Sequence, residues 1–352
     1  RGVRCTVVDA TSAPETLGPA DLVIDAAYGT GFRGEYVSPR PCGAQTPVLA
    51  VDVPSGVSGL TGVGAGEPLP ATRTITFAAW KPGLLLADGA SLGGRVSVAD
   101  IGLDVSGARA HLVDDAAVAA WLPSRPRDTH KWRAAVRIVA GSADMAGAAV
   151  LATGAAPRAG AGYVQLSVPG SSGGVPAPVE AVLAPVDAAD WADQVCRSSE
   201  RFHALLVGPG LGRSEAVDRN VRAVVARCAL PLVVDGDGIR ALGESAAQVL
   251  AERPANAAPV LLTPHDGEFE ALAGSGPGAD RFESVRALAA ATGAHVLAKG
   301  PTTIVAAPDG RALAVTSGDA RLATAGSGDV LSGAIVAFVA RGIAPFAVSY
   351  TH

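Results

Sequence analysis

The sequence is poor in aromatic residues, charges and cysteines, and each shortage excludes a class of protein. Aromatic residues make up 4% and charged residues 17% of the 352 residues, and the formal net charge is −5. Because no run of Lys or Arg occurs, neither a nucleic acid nor an anionic membrane is expected as the main partner. The four cysteines form no CxxC pair, so neither a disulfide framework nor a zinc site is indicated. This cysteine usage fits a reducing, cytoplasmic location.

Long apolar segments are absent as well. The longest, such as residues 330–340, are shorter than the roughly 20 residues that a membrane-spanning helix needs, and no signal-peptide pattern is present. We therefore expect neither export nor a membrane partner. The chain begins with Arg1 instead of Met, directly before a strand-like segment at residues 5–8, and we expect further residues upstream.

Hydrophobic residues, in contrast, make up 49% of the chain, with 43 glycines and 25 prolines for tight turns. Short apolar runs that end in Gly or Asp are typical of buried parallel strands. Ala-rich stretches of helical character lie between some of them, at residues 146–161 and 281–292. This alternation predicts an α/β fold with a doubly wound sheet, whose strands carry ligands at their carboxyl ends. The candidate strands are residues 22–25, 48–52, 205–208, 232–235 and 260–263.

The length is suited to two domains. The composition changes over residues 104–127, where a short Ala-rich helix candidate precedes a Pro-rich stretch. We place the boundary near residue 105, which gives domains of residues 1–104 and 105–352. Residues 171–176, rich in Ser and Gly, predict a surface loop.

A glycine-rich motif, Thr324-Ala325-Gly326-Ser327-Gly328-Asp329, leads directly into an apolar helix. Small residues at a helix start let backbone N–H groups approach a phosphate, so the motif predicts an anion site. The carboxylate of Asp329 is a candidate base for a hydroxyl group that receives a phosphoryl group there. An alternative stays open, and the motif alone favours it: Asp329 only caps the helix. The spacing is not that of a Walker A motif.

Three further segments bring small or polar residues to predicted strand ends, where the sites of α/β proteins assemble. They are the glycines of residues 208–212, His265 with Glu268, and Lys299 followed by two threonines. Each has a structural alternative: a tight turn, a structural histidine, and a solvated hairpin with an exposed lysine.

Together and in this order, these segments resemble the ADP- or ATP-dependent NAD(P)H-hydrate dehydratases of the ribokinase-like superfamily. The resemblance covers about residues 108–352. It implies that the hydrated coenzyme, NADHX or NADPHX, contacts Ala148, Gly210, His265 and Asp329. It implies that an adenine nucleotide contacts Lys299, Gly300, Pro301, Thr302, Thr303 and Gly328.

The resemblance implies a carbon–oxygen lyase of metabolite repair that uses ADP or ATP as co-substrate. Asp329 would deprotonate the hydroxyl group on the damaged nicotinamide ring, and the amides of residues 326–328 would hold the transferred phosphoryl group. Loss of phosphate would then restore the coenzyme. Mg²⁺ is expected from the chemistry of phosphoryl transfer, and we also expect a homo-oligomer.

The N-terminal part resembles NAD(P)H-hydrate epimerase, an isomerase with a Rossmann-like α/β domain. The resemblance rests on residues 21–32, 51–56 and 77–83. It implies a potassium ion held by Asp25 and Ser55, with Asp52 acting on the substrate. The hydrate site would be lined by Gly29, Thr30, Gly31, Phe32, Arg33, Gly34 and Glu35. The family's early Asn-Asn-Gly-Gly-Asp-Gly loop does not occur in this sequence, so this partial domain is expected to be inactive unless the protein continues upstream.

Two other functions stay open at this point. A vitamin or sugar kinase of the same superfamily would use Asp329 in the same way but release a stable phosphorylated product. A protein of another class, an inactive nucleotide-binding or scaffold protein, would also fit the incomplete first domain.

Overall fold

The computed structural model describes residues 2–171, 175–197 and 200–350, and its chain divides into two compact units, one ending at Ala108 and the next starting at Arg109. Both are mixed α/β, as predicted. Three residues of the predicted surface loop, 172–174, lie outside the described residues.

The first unit is built around a four-stranded parallel sheet of order β1-β3-β5-β6, beside a small parallel pair, β2 and β4. Val48 and Ala50 of β3 and Thr74 and Thr76 of β5 are buried in it. Its elements are β1 Val23–Asp25, β2 Tyr36–Val37, β3 Val48–Val51, β4 Gly66–Glu67, β5 Arg73–Phe77, a 3₁₀ turn at Pro82–Leu84, α1 Ala87–Leu92 and β6 Arg95–Ala99.

Two sequence predictions for this unit need correction. Residues 5–8 form no strand, since they pair with no other strand of the described chain and their valines are exposed. The strand predicted at residues 22–25 forms, but Ile24 is 57% exposed because β1 lies at the sheet edge and no described element covers that face.

The second unit contains a ten-stranded sheet of order β10-β9-β8-β11-β12-β13-β14-β15-β16-β7. Neighbours are parallel except around β15, which runs antiparallel to both β14 and β16. All three strands predicted for this part form. The strands are β7 Ala110–Leu112, β8 Ala135–Val139, β9 Tyr163–Ser167, β10 Val182–Leu183, β11 Ala204–Val207, β12 Leu232–Val234, β13 Val260–Leu262, β14 His295–Ala298, β15 Thr303–Ala306 and β16 Ala312–Val315.

Helices cover both faces of this sheet. The central strands β8, β11, β12 and β13 are buried along their whole length, which explains their continuous apolar runs. In the described residues, no helix combines the length and apolarity needed to cross a membrane. The helices are α2 Asp115–Trp121, α3 Ala146–Arg158, α4 Ala192–Arg197, α5 Glu215–Arg227, α6 Asp237–Leu242, α7 Ala246–Ala251, α8 Asp266–Ala273, α9 Arg281–Thr292 and α10 Ser327–Ala340, with 3₁₀ turns at Lys131–Ala134, Gly243–Ser245, Ala320–Leu322 and Pro345–Tyr350.

Close packing of α3 against α10 fixes where α10 begins. A Cβ atom added at Gly333 would lie 2.1 Å from the carbonyl oxygen of Ala152, so only glycine allows this approach. Ala149 and Ala156 are fully buried in the same core. The small residues that gave α3 its helical composition therefore bring the glycine-rich start of α10 to the carboxyl edge of the sheet.

Candidate active site

Asp329 lies in the first turn of α10 but does not cap it. The N-cap residue is Gly326, with φ 90° and no side-chain cap hydrogen bond, and Asp329 is the third helical residue. A Cβ atom at Gly326 would lie 2.4 Å from Leu151 Cδ1, a contact that a shift of this side chain can relieve, so it is the left-handed backbone that favours glycine there. The capping interpretation of Asp329 is therefore wrong, and its carboxylate is available for another role.

A buried lysine lies next to this helix start. Lys299, directly after β14, has its Nζ 2.9 Å from Asp235 Oδ1 and 3.4 Å from Glu268 Oε2. A Cβ atom at Gly328 would be 3.6 Å from the same Nζ. The side chain of Lys299 is only 18% exposed, so the alternative of a solvated hairpin with an exposed lysine is wrong.

Asp235 anchors this lysine from the end of β12. It is 3% exposed, and its Oδ1 also accepts a hydrogen bond of 2.8 Å from the hydroxyl group of Thr263. A buried carboxylate needs such partners, because an unpaired charge in the interior is costly. The ion pair and the hydroxyl group together make this end of the sheet a fixed array of charges.

The charges in this array change the protonation of two groups. Burial, followed by repulsion from Asp235, raises the pKa of Asp329 to about 6, although Lys299 opposes the shift. Burial alone would lower the pKa of Lys299, but Asp235 and Glu268 outweigh it, so this pKa lies above its ordinary value. At neutral pH the site therefore presents an ammonium group beside a carboxylate of increased basicity.

His265 lies at the start of α8, beside Glu268. Its Nδ1 accepts hydrogen bonds from the backbone N–H groups of Gly267 and Glu268, and the Glu268 side chain accepts one from the N–H of His265. This capping box requires Nδ1 to be unprotonated, so a neutral His265 carries its proton on Nε2. The His265 side chain is 60% exposed, and its Nε2 lies 3.4 Å from Glu268 Oε1.

The glycine-rich turn after β11 contacts both α3 and the end of β12. A Cβ atom at Gly208 would lie 1.8 Å from the carbonyl oxygen of Asp235, and one at Gly210 would lie 2.7 Å from Ala148 Cβ. The backbone N–H of Gly212 donates to Asp237 Oδ2 at 2.8 Å. Gly210 and Ala148, which the sequence resemblance assigned to the same substrate, are therefore in direct contact.

Two glycines of this turn give a matched test of its steric role. Gly210 and Gly212 both have positive φ, 61° and 83°, but a Cβ atom meets Ala148 only at Gly210 and open space at Gly212. We expect Gly212→Ala to lower the free energy of unfolding by about 1 kcal/mol from backbone strain, and Gly210→Ala by at least about 2 kcal/mol because overpacking is added. Urea unfolding of both variants measures the difference, and equal losses would contradict the close approach of the turn to α3.

Arg281, the first residue of α9, is hydrogen-bonded to the turn at residues 299–303. Arg281 Nη2 donates to the carbonyl oxygen of Lys299 at 2.8 Å and also contacts Asp266 Oδ1. A Cβ atom at Gly300 would lie 3.0 Å from that same guanidinium group. Within the turn, Pro301 is exposed, whereas the two threonines that follow it, Thr302 and Thr303, are buried.

The structure brings the predicted residues of the second unit into two neighbouring groups. Asp329, Gly328 and His265 lie around the Lys299 ammonium and Glu268, whereas Gly210 contacts Ala148 in the first turn of α3. Sequence analysis missed residues that support them: Asp235, Asp237 and Arg281. The signal for Asp235 was present, because an apolar run ending in Asp places a carboxylate at a strand end.

In the first unit, Asp25 and Ser55 are joined by two hydrogen bonds. Ser55 donates to Asp25 through its backbone N–H at 2.8 Å and through its hydroxyl group at 2.5 Å. The Ser55 hydroxyl oxygen also lies 3.2 Å from the carbonyl oxygen of Tyr28. Three oxygen atoms, the donor type that an alkali cation prefers, are thus close together. Within the described ranges, no group of three or more His, Cys, Asp or Glu side chains forms a metal site.

Asp52 lies just after β3 in a left-handed conformation, with φ 73°. Burial would raise its pKa, but a hydrogen bond and the charge of Lys81, whose Nζ is 3.1 Å away, together with the N–H of Thr30 and the hydroxyl group of Thr76, lower the pKa below its ordinary value. A non-glycine residue in this conformation indicates strain of the kind that functional sites retain. Lys81 was not among the predicted site residues.

The segment predicted to line a hydrate site contains a tight turn beside Asp52. The N–H of Phe32 donates to the carbonyl oxygen of Gly29 at 3.0 Å, and a Cβ atom at Gly29 would lie 3.3 Å from Asp52 Oδ2. Phe32 packs on Tyr28, with ring centroids 4.3 Å apart. The other members of the segment are exposed: Thr30, Gly31, Arg33, Gly34 and Glu35.

A mostly parallel sheet whose carboxyl edge carries an acid at a glycine-rich helix start defines a ribokinase-like α/β enzyme. A solved ribokinase-like superfamily protein from Enterococcus faecalis has the same fold, with a TM-score of 0.58 and 22% identity over 71% of this chain and 87% of that chain. The family model described as NAD(P)H-hydrate dehydratase matches residues 136–350, and the chain belongs to this family. A second model, described as YjeF-related protein N-terminus, matches residues 3–83.

Known proteins similar to this chain agree with that assignment. The bifunctional NAD(P)H-hydrate repair enzymes Nnr of Salinibacter ruber and Mycobacterium tuberculosis are 37% and 39% identical to it over 95% and 92% of this chain. The chain spans 66% of the length of each, slightly less than two thirds. A solved ADP/ATP-dependent NAD(P)H-hydrate dehydratase from Bacillus subtilis is 31% identical, with a TM-score of 0.56, and covers 66% of this chain and 83% of that chain. These matches favour a dehydratase over the small-molecule kinase and over the inactive scaffold.

Proposed function

We propose that the second unit dehydrates the S-hydrates of NADH and NADPH back to the intact coenzymes, with ADP or ATP as co-substrate. The observation that carries this proposal is the carboxylate of Asp329. It lies at a glycine-rich helix start without capping the helix, and its pKa is raised to about 6. A general base is most effective when its pKa lies near the working pH. The membership in the dehydratase family supplies the substrate class.

The reaction begins at the hydroxyl group of the hydrated nicotinamide ring. Asp329 takes the hydroxyl proton as the oxygen attacks the terminal phosphorus of the nucleotide, and the bond from that phosphorus to the bridging oxygen breaks. ADP thus yields AMP, and ATP yields ADP. The phosphorylated oxygen then leaves the ring as inorganic phosphate, with loss of a ring proton, and the ring double bond is restored.

The start of α10 can stabilise the negative charge of the phosphoryl group that is transferred in this step. The first N–H groups of a helix have no partner within it and can face an anion, and the helix dipole adds favourable potential. Of residues 326–328, Ser327 already donates its N–H to the carbonyl oxygen of Thr324 at 3.2 Å, so the N–H groups of Gly326 and Gly328 are the ones proposed for this role. Lys299 supports the same role, because its ammonium lies beside Gly328. We propose that the turn from Lys299 to Thr303, braced by Arg281, binds the nucleotide phosphates.

The carboxylates of this site could hold Mg²⁺ only together with a bound nucleotide. The ion binds mainly to nucleotide phosphates and water and needs only one or two protein carboxylates. Glu268 would supply one, since the buried Asp235 is already paired with Lys299 and Thr263. When bound, Mg²⁺ would neutralise part of the phosphate charge. The Bacillus subtilis relative was co-crystallised with ATP and Mg²⁺, which supports the proposal that Mg²⁺ accompanies the nucleotide here.

On the substrate side, we propose contacts from Ala148, Gly210 and His265. The Nε2–H of His265, in a side chain that is 60% exposed, would donate to the hydrated ring or its amide in exchange for Glu268 Oε1 at 3.4 Å, since Nδ1 is occupied by the capping box. Gly210 lies against Ala148 and Met145 at the start of α3, and we propose that this apolar surface contacts the flat nicotinamide ring.

A nucleotide-dependent assay tests the proposal. The protein is incubated with hydrated NADH and Mg²⁺, with ADP, with ATP or without nucleotide, and recovery of the reduced-nicotinamide absorbance is followed. We expect recovery only with a nucleotide, together with equal amounts of inorganic phosphate. Consumption of nucleotide with a stable phosphorylated product would favour the kinase, and no turnover with either nucleotide would contradict the assignment.

The pKa of Asp329 also sets a pH profile. Because the base acts only when it is deprotonated, kcat/KM should rise about tenfold per pH unit below pH 6 and level off above it. The measurement is kcat/KM for hydrated NADH between about pH 5 and 8. A profile that falls with increasing pH across this interval would contradict a basic role.

For the first unit we propose a NAD(P)H-hydrate epimerase fold in which Asp25 and Ser55 contribute oxygen ligands to a potassium ion. Asp52, with Lys81 against it, would act on the hydrate beside residues 29–35. A cytoplasmic location and a homo-oligomeric state also remain predictions.

A further inference from the structure

Two cysteines of the second unit form a thiol pair that the proposed dehydration does not use. The thiols of Cys196 and Cys228 are hydrogen-bonded to each other. Cys196 lies in the last turn of α4 and is half-buried, and Cys228 directly follows α5 and is 1% exposed. The chain between them contains β11 and the glycine-rich turn, so the two sulfur atoms are neighbours only in the folded protein.

The two helix ends are also joined at the surface. Arg227 Nη1 lies 2.8 Å from Asp193 Oδ1, which links the last turn of α5 to the first turn of α4. An exposed ion pair of this kind adds little stability. It is nevertheless independent evidence that α4 and the end of α5 are adjacent, as the thiol pair requires.

Two guanidinium groups flank the thiols. Arg137 of β8 is 2% exposed and donates to the carbonyl oxygen of Val195 at 3.1 Å, one residue before Cys196. Arg253 donates to the carbonyl oxygen of Val225 at 2.7 Å, in the last turn of α5. Nearby positive charge favours a thiolate over a thiol, and this is the environment in which reactive cysteines occur.

This environment separates the pKa values of the two thiols. The hydrogen bond from Cys196 is the main cause that lowers the pKa of Cys228 to about 7, with Arg253 and Arg137 adding to it, although burial opposes the shift. The same hydrogen bond, with burial, raises the pKa of Cys196. The Cys228 thiol therefore loses its proton more readily than the Cys196 thiol beside it.

We propose that Cys196 and Cys228 form a reversible disulfide when the protein meets a peroxide. The Cys228 thiolate attacks a peroxide oxygen, the O–O bond breaks, and hydroxide leaves, which converts Cys228 to a sulfenic acid. The sulfur of Cys196 then attacks that of Cys228, and the sulfenic hydroxyl group leaves as water with the Cys196 proton. The peroxide receives the two electrons that the two sulfurs lose. Because Cys228 is 1% exposed, the proposal requires a small peroxide to reach its sulfur past the half-buried Cys196.

The test uses the full chain with Cys5→Ser and Cys42→Ser, which remove the two exposed thiols of the first unit and leave only this pair. The reduced protein is treated with hydrogen peroxide at pH 7, blocked with N-ethylmaleimide, digested without reductant and examined by mass spectrometry. We expect an intramolecular peptide linked between Cys196 and Cys228, which dithiothreitol removes. Absence of this peptide under conditions that oxidise Cys5 and Cys42 in the unsubstituted chain would overturn the proposal.

Single variants assign the roles within the pair. Cys196→Ser should stop the reaction at a sulfenic acid on Cys228, which dimedone traps. Cys228→Ser should slow oxidation of Cys196 by about tenfold or more, because the attacking thiolate is lost. The rate of disulfide formation in the unsubstituted pair should increase between about pH 6 and 8, because the pKa of Cys228 is lowered from its ordinary value. A rate that does not change between about pH 6 and 8 would exclude Cys228 as the attacking thiolate.

Discussion

Replacement of Asp329 by Asn is expected to lower kcat for hydrate dehydration by roughly 10²- to 10⁴-fold, the usual contribution of a general base. The amide has nearly the same shape as the carboxylate but cannot accept the hydroxyl proton. Binding of the nucleotide should change little, because Lys299 and the backbone N–H groups of Gly326 and Gly328 remain. The measurement is steady-state turnover of hydrated NADH with ADP or ATP.

The same substitution should stabilise the fold at neutral pH. The raised pKa of Asp329 means that the folded protein binds its proton more tightly than the unfolded chain does, so this group costs stability as the pH rises through about 6. Because Asp329 is only partly buried and solvent screens it, we expect Asp329→Asn to add no more than about 1 kcal/mol at pH 7 and almost nothing at pH 4. Thermal unfolding at the two pH values tests this sign.

Glu270→Gln is the matched control for this variant. Glu270 is an exposed acid on α8, and its replacement removes the same charge outside the site. It should leave turnover unchanged and shift stability by less than about 0.5 kcal/mol. Equal loss of turnover in both variants would indicate an effect of net charge and would contradict the catalytic role of Asp329.

Lys299→Met is expected to have the largest effect on stability. It leaves the carboxylate of Asp235, which is 3% exposed, without its ammonium partner at 2.9 Å. Removing one member of a buried ion pair costs about 3 kcal/mol or more, since the remaining charge is uncompensated. The variant should also raise KM for the nucleotide, because the ammonium beside Gly328 is lost. Urea unfolding and KM for ADP and ATP are the measurements.

The double variant Asp235→Asn with Lys299→Met separates these two effects. It removes both charges, so most of the lost stability should return, whereas the raised KM should persist. A double variant as unstable as Lys299→Met would show that the loss arises from packing and not from the unpaired carboxylate of Asp235.

The fold could be predicted from the sequence where local pattern and tertiary environment agree. Residues 205–208 and 232–235 are continuous apolar runs because both faces of the large sheet are covered, and α9 forms at residues 281–292 as its composition predicts. Residues 5–8 have the same local strand character but remain without a strand, because a strand requires a partner that sequence pattern alone does not reveal.

The sequence allowed us to predict which strand ends contain the residues of the candidate site. Asp329 was ambiguous in the sequence, since an acid at a helix start usually caps it, and only the position of Gly326 as the N-cap removes that alternative. The buried state of Lys299 was not predictable, because it depends on Asp235 and Glu268, which lie 64 and 31 residues away in the chain. Charges paired across a sheet edge depend on strand order, which no local motif encodes.

The account depends on phosphorylation of the substrate hydroxyl group by a reaction that Asp329 starts. The most direct test uses hydrated NADH labelled with ¹⁸O in that hydroxyl group, incubated with nucleotide, Mg²⁺ and either the unsubstituted protein or Asp329→Asn. With the unsubstituted protein the label should leave in inorganic phosphate, and the variant should release almost none in the same time. Label recovered in water, or equal labelled phosphate from both proteins, would contradict the account.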